Sequence, residues 1–320
     1  MTDWIVRPWQ TWTFGLALIV FSIALPGCTP PPDNSGGVEG PGGRREVLSL
    51  TPQQEVKLGT EAFQEVLTQS RGHVIPVDDP RTERVKRVAE KIFDQALHND
   101  PLDREIGLHL QGWDWSKRDY RVLDKKEVNA FCLPAGKVVV YTGLLNFVKD
   151  NDAQLATVLG HEISHALAHH ASERIAREHM YRQSVNAMEG LDALTEDANR
   201  QKLVALLGAG MAAYPQREAS EAERPGLFAQ IRELSYDRQQ ESEADHIGVF
   251  LMTFAGYDPR QAVAFWEEMQ QRSGGANPPE ILSDHPSDAR RVAQMRVWAG
   301  RAHDAWLAWK AGNIEPARGK

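Results

Sequence analysis

The chain has 320 residues, a formal charge of −8 at pH 7, 42% hydrophobic and 25% charged residues, and two cysteines. That balance suits one large globular domain or two small ones, and the absence of a basic surplus argues against general nucleic-acid binding. Cys28 and Cys132 are too few for a disulfide-stapled scaffold, a thiolate zinc finger or an iron–sulfur cluster built within the chain, so a metal site has to use histidines and carboxylates.

From Phe14 to Leu25 runs an apolar stretch of about a dozen residues, short of the roughly 20 that a membrane-spanning helix needs. It reads as the core of a signal peptide over residues 1–27. The following Leu25-Pro26-Gly27-Cys28 resembles the bacterial lipobox, which implies cleavage before Cys28 and lipid on its sulfur. By the usual sorting pattern, Thr29 after that cysteine implies an outer-membrane lipoprotein facing the periplasm; an uncleaved anchor or an ordinary signal are the alternatives. Residues 28–49, rich in Pro and Gly, read as a flexible tether. The folded domain is expected over 50–300, with 301–320 as a helix end and tail, and Cys132 as a small buried hydrophobe.

Thr51-Pro52 opens the first helix, with Thr51 as N-cap, Pro52 at the first helical position and Gln54 closing a capping box; the pattern runs to about Val66. Val85, Val88, Ala89, Ile92 and Phe93 recur at helical spacing over Arg81–Ala96. Tyr120–Leu123, Val128–Phe131 and Lys137–Tyr141 read as short strands of one small sheet. A helix is expected from Asp152 to about Met180, a polar helical region to about Leu234, and a further helix from Glu241 to Ala255. Asp258 caps a helix over Arg260–Gln271, Ser273–Ser283 is a loop, and the last helix, from Asp288, carries Trp298, Trp306 and Trp309 as packing residues.

His161-Glu162-Ile163-Ser164-His165 is an HExxH motif within a helical pattern. Residues four apart lie about 40° apart around a helix and about 6 Å along it, so both imidazoles can grip one ion from one side. Glu162 stands beside that face, where a carboxylate can take a proton from a metal-activated water. Leu155, Leu159, Ile163, Ala166 and Leu167 form the opposite, core-facing stripe. With no Gly to turn the chain after His165, His169 would lie about 12 Å along the helix from His161, so His169 and His170 are expected to be solvated or to stand behind the ligands. In Glu241-Ser242-Glu243-Ala244-Asp245, Glu241 and Asp245 share a face. Glu241 is assigned as third ligand and Asp245 as the group that orients a ligand histidine; Glu243, about 200° away, is expected to leave metal binding untouched.

These motifs, with Asn129-Ala130-Phe131-Cys132-Leu133-Pro134-Ala135-Gly136-Lys137, Tyr141-Thr142-Gly143-Leu144-Leu145, and the later Asp284-His285-Pro286 with Arg290-Arg291, resemble metallopeptidase family forty-eight, of the HtpX, CAAX prenyl protease and mitochondrial quality-control type. Ala135 stands where many members carry a second Gly. The resemblance covers about Thr51 to Arg291 and implies the soluble lipoprotein branch. The expected fold is α+β: a mainly helical, gluzincin-like zincin with a small sheet beside the HExxH helix.

The expected activity is zinc-dependent endoproteolysis, with one Zn2+ per chain on His161, His165 and Glu241 and with Glu162 as general base. The resemblance implies unfolded or misassembled envelope proteins as substrates. Lys137, Val138, Val139, Val140 and Tyr141 resemble the family's cleft-edge strand, to which an extended peptide would add. Residues 175–234 are expected to form a helical flap over the cleft or an inert insertion. His285 fits an oxyanion donor, a reversible lock on the fourth metal position, or a loop anchor. A chaperone-like or latent binding module and a peptidoglycan hydrolase are the rival readings.

Overall fold

The computed structural model describes residues 38–39, 45–46, 50–99, 113–178, 236–273, 279–285 and 289–312, with positions 48, 102, 106–108, 110 and 228. The signal peptide, Cys28 and nearly all of the 175–234 segment lie outside the described residues. Within the expected tether, β1 (Val38–Glu39) and β2 (Arg45–Glu46) pair antiparallel, so that part forms a small ladder of its own.

Helix α1 (Pro52–Gln69) begins with the capping box that its sequence spells: Gln54 N–H donates to Thr51 Oγ1 and Thr51 N–H to Gln54 Oε1. Helix α2 (Pro80–His98) starts one residue before the expected point because the Asp79 carboxylate accepts from Arg81 N–H. Its Val85, Val88, Ala89, Ile92 and Phe93 are all fully buried in the main core.

The sheet has three strands, β3 (Asp119–Leu123), β4 (Ala130–Leu133) and β5 (Lys137–Tyr141), in the order β3-β5-β4. β5 is parallel to β3 and antiparallel to β4. The second strand starts two residues later than expected because the Val128 carbonyl is taken by Ile281 N–H instead of by the sheet. Lys137–Tyr141 is therefore the central strand and not an edge: both its sides are paired and all five of its residues are buried. Among the described residues β4 is paired on one side, by β5, and it packs against the helix Asp152–Leu167. Between β4 and β5, Ala135 and Gly136 both take positive φ, 60° and 73°. That geometry favours glycine at both positions, and Ala135 bears it with a Cβ.

After α3 (Thr142–Val148), helix α4 (Asp152–Leu167) is capped by the Asn151 side chain, which accepts from Ala153 and Gln154 N–H. It packs along α5 (Arg238–Phe254), which Asp237 and Gln240 open with a second capping box. The two helices approach backbone to backbone at Gly160 and Gly248, where a Cβ on either glycine would stand 2.8 Å from the other helix's main chain. Helices α6 (Arg260–Ser273), α7 (Ile281–Asp284) and α8 (Ala289–Lys310) close the far side, so the expected 273–283 loop ends in a helical turn. Trp266 is fully buried, Trp298 and Trp306 pack on the core, and Trp309 reaches 36% exposure. Among the described residues no helix is long and apolar enough to cross a membrane. The fold is α+β, mostly helical with a small three-stranded sheet, as the motifs led one to expect.

Candidate metal centre

The first two candidate ligands come from α4. His161 and His165 are both buried, with their Nε2 atoms 3.0 Å apart. Glu241, in the first turn of α5, brings carboxylate oxygens to 3.5 Å from His161 Nε2 and 3.4 Å from His165 Nε2. His285, just after α7, completes the group: its Nδ1 lies 2.7 Å from Glu241 Oε1 and 3.1 Å from His161 Nε2. One ligating atom from each of these four side chains falls within 4.8 Å of all the others, an arrangement that can hold a metal ion.

The chemistry of the donor set fits a cation. His161 Nδ1 lies 2.9 Å from Asp245 Oδ1, so the ring donates outward and turns the lone pair of Nε2 inward. Burial pulls the pKa of His161 down and that of His165 well down, which keeps both imidazoles neutral, as ligands must be. Burial alone would raise the Glu241 carboxyl; the charges of His285 and Arg291 lead the interactions that outweigh it and hold the group well below the usual range. For His285 burial again works downward, and the facing carboxylates of Glu241 and Glu162 raise it to about 9. Glu162 is buried in the same pocket, its Oε1 3.4 Å from His285 Nε2.

Several residues around this group carried little signal in the sequence. Arg291 on α8 forms an ion pair with Glu241 Oε2 at 2.7 Å and donates to both oxygens of Asp245, while its guanidinium lies 3.8 Å over the Trp266 ring. It ties the Asp245 and Glu241 carboxylates together, and its trace in the sequence is the Arg290-Arg291 pair that follows Asp284-His285-Pro286. Tyr236, five residues before Glu241, stacks on His165 with centroids 3.7 Å apart and carries the Arg174 guanidinium at 3.9 Å.

The chain also turns where no turn was expected. Helix α4 stops at Leu167, His169 takes φ 52°, and a helical segment restarts over 170–178. No glycine is needed because His169 is locked in place: its Nδ1 lies 2.8 Å from Glu55 Oε2 of α1, and Trp113 stacks on its ring at 3.6 Å. His169 is buried, not solvated, and stays outside the ligand group. His170, fully buried, comes back to stand behind His165. Glu243 points away from the ligand atoms as its helical position requires, and meets His170 there. Cys132 is a buried free thiol whose pKa burial pushes well up.

Residues 96–299 match the sequence profile of peptidase family M48. The chain is similar to the mitochondrial metalloendopeptidase OMA1 of Arabidopsis thaliana, 30% identical over 318 positions that take in 79% of this chain and 59% of that protein. It is 27% identical to OMA1 of Saccharomyces cerevisiae, across 82% of this chain and 69% of that protein. Against the beta-barrel assembly-enhancing protease of Escherichia coli K12 it is 33% identical, across 62% of this chain and 39% of that protein. The chain thus spans about three fifths of the Arabidopsis relative and about two fifths of the E. coli one.

Proposed function

The chain belongs to peptidase family M48, and from that premise we propose that it is a zinc-dependent metalloendopeptidase. The observation that carries the reading is the convergence of His161, His165, Glu241 and His285 in one buried pocket with Glu162 beside them. His161, His165 and Glu241 would hold one Zn2+, which supplies Lewis-acid polarisation of a water and of the substrate carbonyl. Glu162 takes the proton of the attacking water and passes it to the leaving amine. Asp245, held by Arg291, fixes the His161 ring so that Nε2 faces inward.

Substrate main chain is assigned to β4, because β5 is paired on both sides. An extended peptide laid on Ala130–Leu133 gains main-chain hydrogen bonds with little side-chain preference. Many cleavage sites in unfolded segments are therefore expected, and a single strict motif from cleavage-site profiling would count against this. Unfolded or misassembled cell-envelope proteins are the proposed substrates, supported by the name of the E. coli relative, and outer-membrane attachment through a lipidated Cys28 is the proposed location. Intact-mass spectrometry of membrane-extracted protein should find that lipid; an unmodified chain that keeps Met1 would remove the idea.

His285 lies within ligating reach of the same ion, which favours the reversible lock over the oxyanion donor. As a lock, its loss in His285→Ala raises basal turnover; as a donor, its loss lowers turnover by roughly a hundredfold. Unchanged turnover with lower thermal stability would leave only the loop anchor. A binding module with a latent metal site would have no use for Glu162 in the pocket. Casein hydrolysis by the purified protein tests the enzyme against that rival: it should stop with chelator and return with zinc, and no hydrolysis in either condition would favour the binding module.

A further inference from the structure

The two ligand histidines are oriented by different devices. His161 leans directly on the Asp245 carboxylate. At the outer nitrogen of His165 stands a second imidazole: its Nδ1 faces His170 Nδ1 at 2.8 Å, and His170 Nε2 in turn faces Glu243 Oε2 at 3.1 Å. Because His165 Nε2 is the nitrogen turned toward His161 and Glu241, the ring proton of neutral His165 belongs on Nδ1. It then donates to His170 Nδ1, which must be unprotonated, so His170 carries its own proton on Nε2 and donates it to Glu243. Each link fixes the next.

The turn at His169 makes this possible. In an uninterrupted helix His170 would sit about 140° around the axis from His165, aimed elsewhere. The left-handed His169, pinned by Glu55 and Trp113, sends the chain back so that the His170 ring meets the outer edge of His165. Glu243, whose helical position turns it away from the ligand atoms, is on the correct face to meet that ring. The three acidic residues of Glu241-Ser242-Glu243-Ala244-Asp245 then take three different parts: ligand, remote orienter of His165, and direct orienter of His161.

We propose that His170 and Glu243 are positioning residues for the metal centre, acting as one unit through the outer nitrogen of His165. The inference rests on the zinc reading above. The test is the zinc dissociation constant of the full chain, measured by competition with a chromophoric chelator, beside circular dichroism and the melting temperature of the metal-free protein. His170→Leu removes the acceptor and should weaken zinc by roughly 10- to 100-fold, while His170→Gln, which keeps an acceptor and a donor, should recover most of the loss. Glu243→Ala should weaken zinc about tenfold, and Glu243→Gln, whose carboxamide oxygen still accepts, should stay within about threefold of the parent. The double variant His170→Leu with Glu243→Ala should bind no more weakly than His170→Leu alone, because Glu243 acts only through His170.

A folded His170→Leu that binds zinc within twofold of the parent, or losses that multiply in the double variant, would overturn the proposal. If His170→Leu does not fold, the Glu243 pair decides: equal affinity in Glu243→Ala and Glu243→Gln would overturn it. A parent chain that binds no zinc would instead sink the zinc reading itself.

Discussion

The crossing of α4 and α5 sets the ligand geometry, and a single methyl group at that crossing tests how tightly. A Cβ at Gly248 would stand 2.8 Å from Gly160 C and from His161 N, where ordinary contact begins near 3.4 Å. Both obstacles are main chain inside a helix, so neither can swing aside, and the helices must part by at least about half an ångström. That exceeds the roughly 0.2 Å within which metal–ligand distances are held, and it separates Glu241 from His161 and His165. Overpacking costs about 1–3 kcal/mol, whereas Gly to Ala within a helix gains about 1 kcal/mol, so Gly248→Ala should lose up to about 2 kcal/mol of stability and gain none. Zinc affinity should fall at least about tenfold alongside. Gly300, inside α8 with nothing within 4 Å of an added Cβ, is the control: Gly300→Ala should gain about 1 kcal/mol and leave zinc binding alone. Urea unfolding of the metal-free proteins and chelator competition read both quantities. A Gly248→Ala as stable as Gly300→Ala, with parental zinc affinity, would refute the close crossing.

Two further outcomes follow from local geometry. Ala135→Gly relieves a left-handed residue worth about 1–2 kcal/mol, offset by the greater freedom of unfolded Gly, about 0.5–1 kcal/mol, so a small rise in melting temperature is expected; a fall would mean that the Ala135 methyl contributes more by packing than its backbone strain costs. Asp152, in the first turn of α4, accepts from Arg84 at 2.7 Å and forms an ion pair with Arg87 at 2.9 Å; burial works upward on its pKa, yet the two arginines hold it below the ordinary value. A depressed folded pKa adds stability above the unfolded value and loses it as pH falls through the folded one. Asp152→Asn should therefore cost about 1 kcal/mol at pH 7, and the gap to the parent should close as pH drops below about 3.9 in denaturant titrations; a gap independent of pH would point to packing instead.

Much of the site was legible because its information is local. Helical periodicity alone puts His161 and His165 on one face and Glu241 with Asp245 on another, and the structure brings His161, His165 and Glu241 into one cluster that could hold a metal ion. Caps at Thr51 and Asp258 likewise sit where short-range chemistry places them. What escaped depends on distant partners. The left-handed turn at His169 needs Glu55, which lies 114 residues away, so neighbouring residues predict continued helix and a solvated histidine. Strand order escaped because Lys137–Tyr141 reads the same as an edge or a centre until β3 and β4 are both seen to pair with it. Arg291 looks like any helix-surface arginine until Trp266, Glu241 and Asp245 surround it.

The central claim, that a bound zinc and Glu162 together cut peptide bonds, is tested most directly by measuring zinc content and casein turnover side by side in the parent and in Glu162→Gln. One zinc per chain is expected in both proteins, with turnover in the variant lower by about 100-fold or more. A Glu162→Gln protein that keeps its zinc and cuts casein at the parental rate would contradict it.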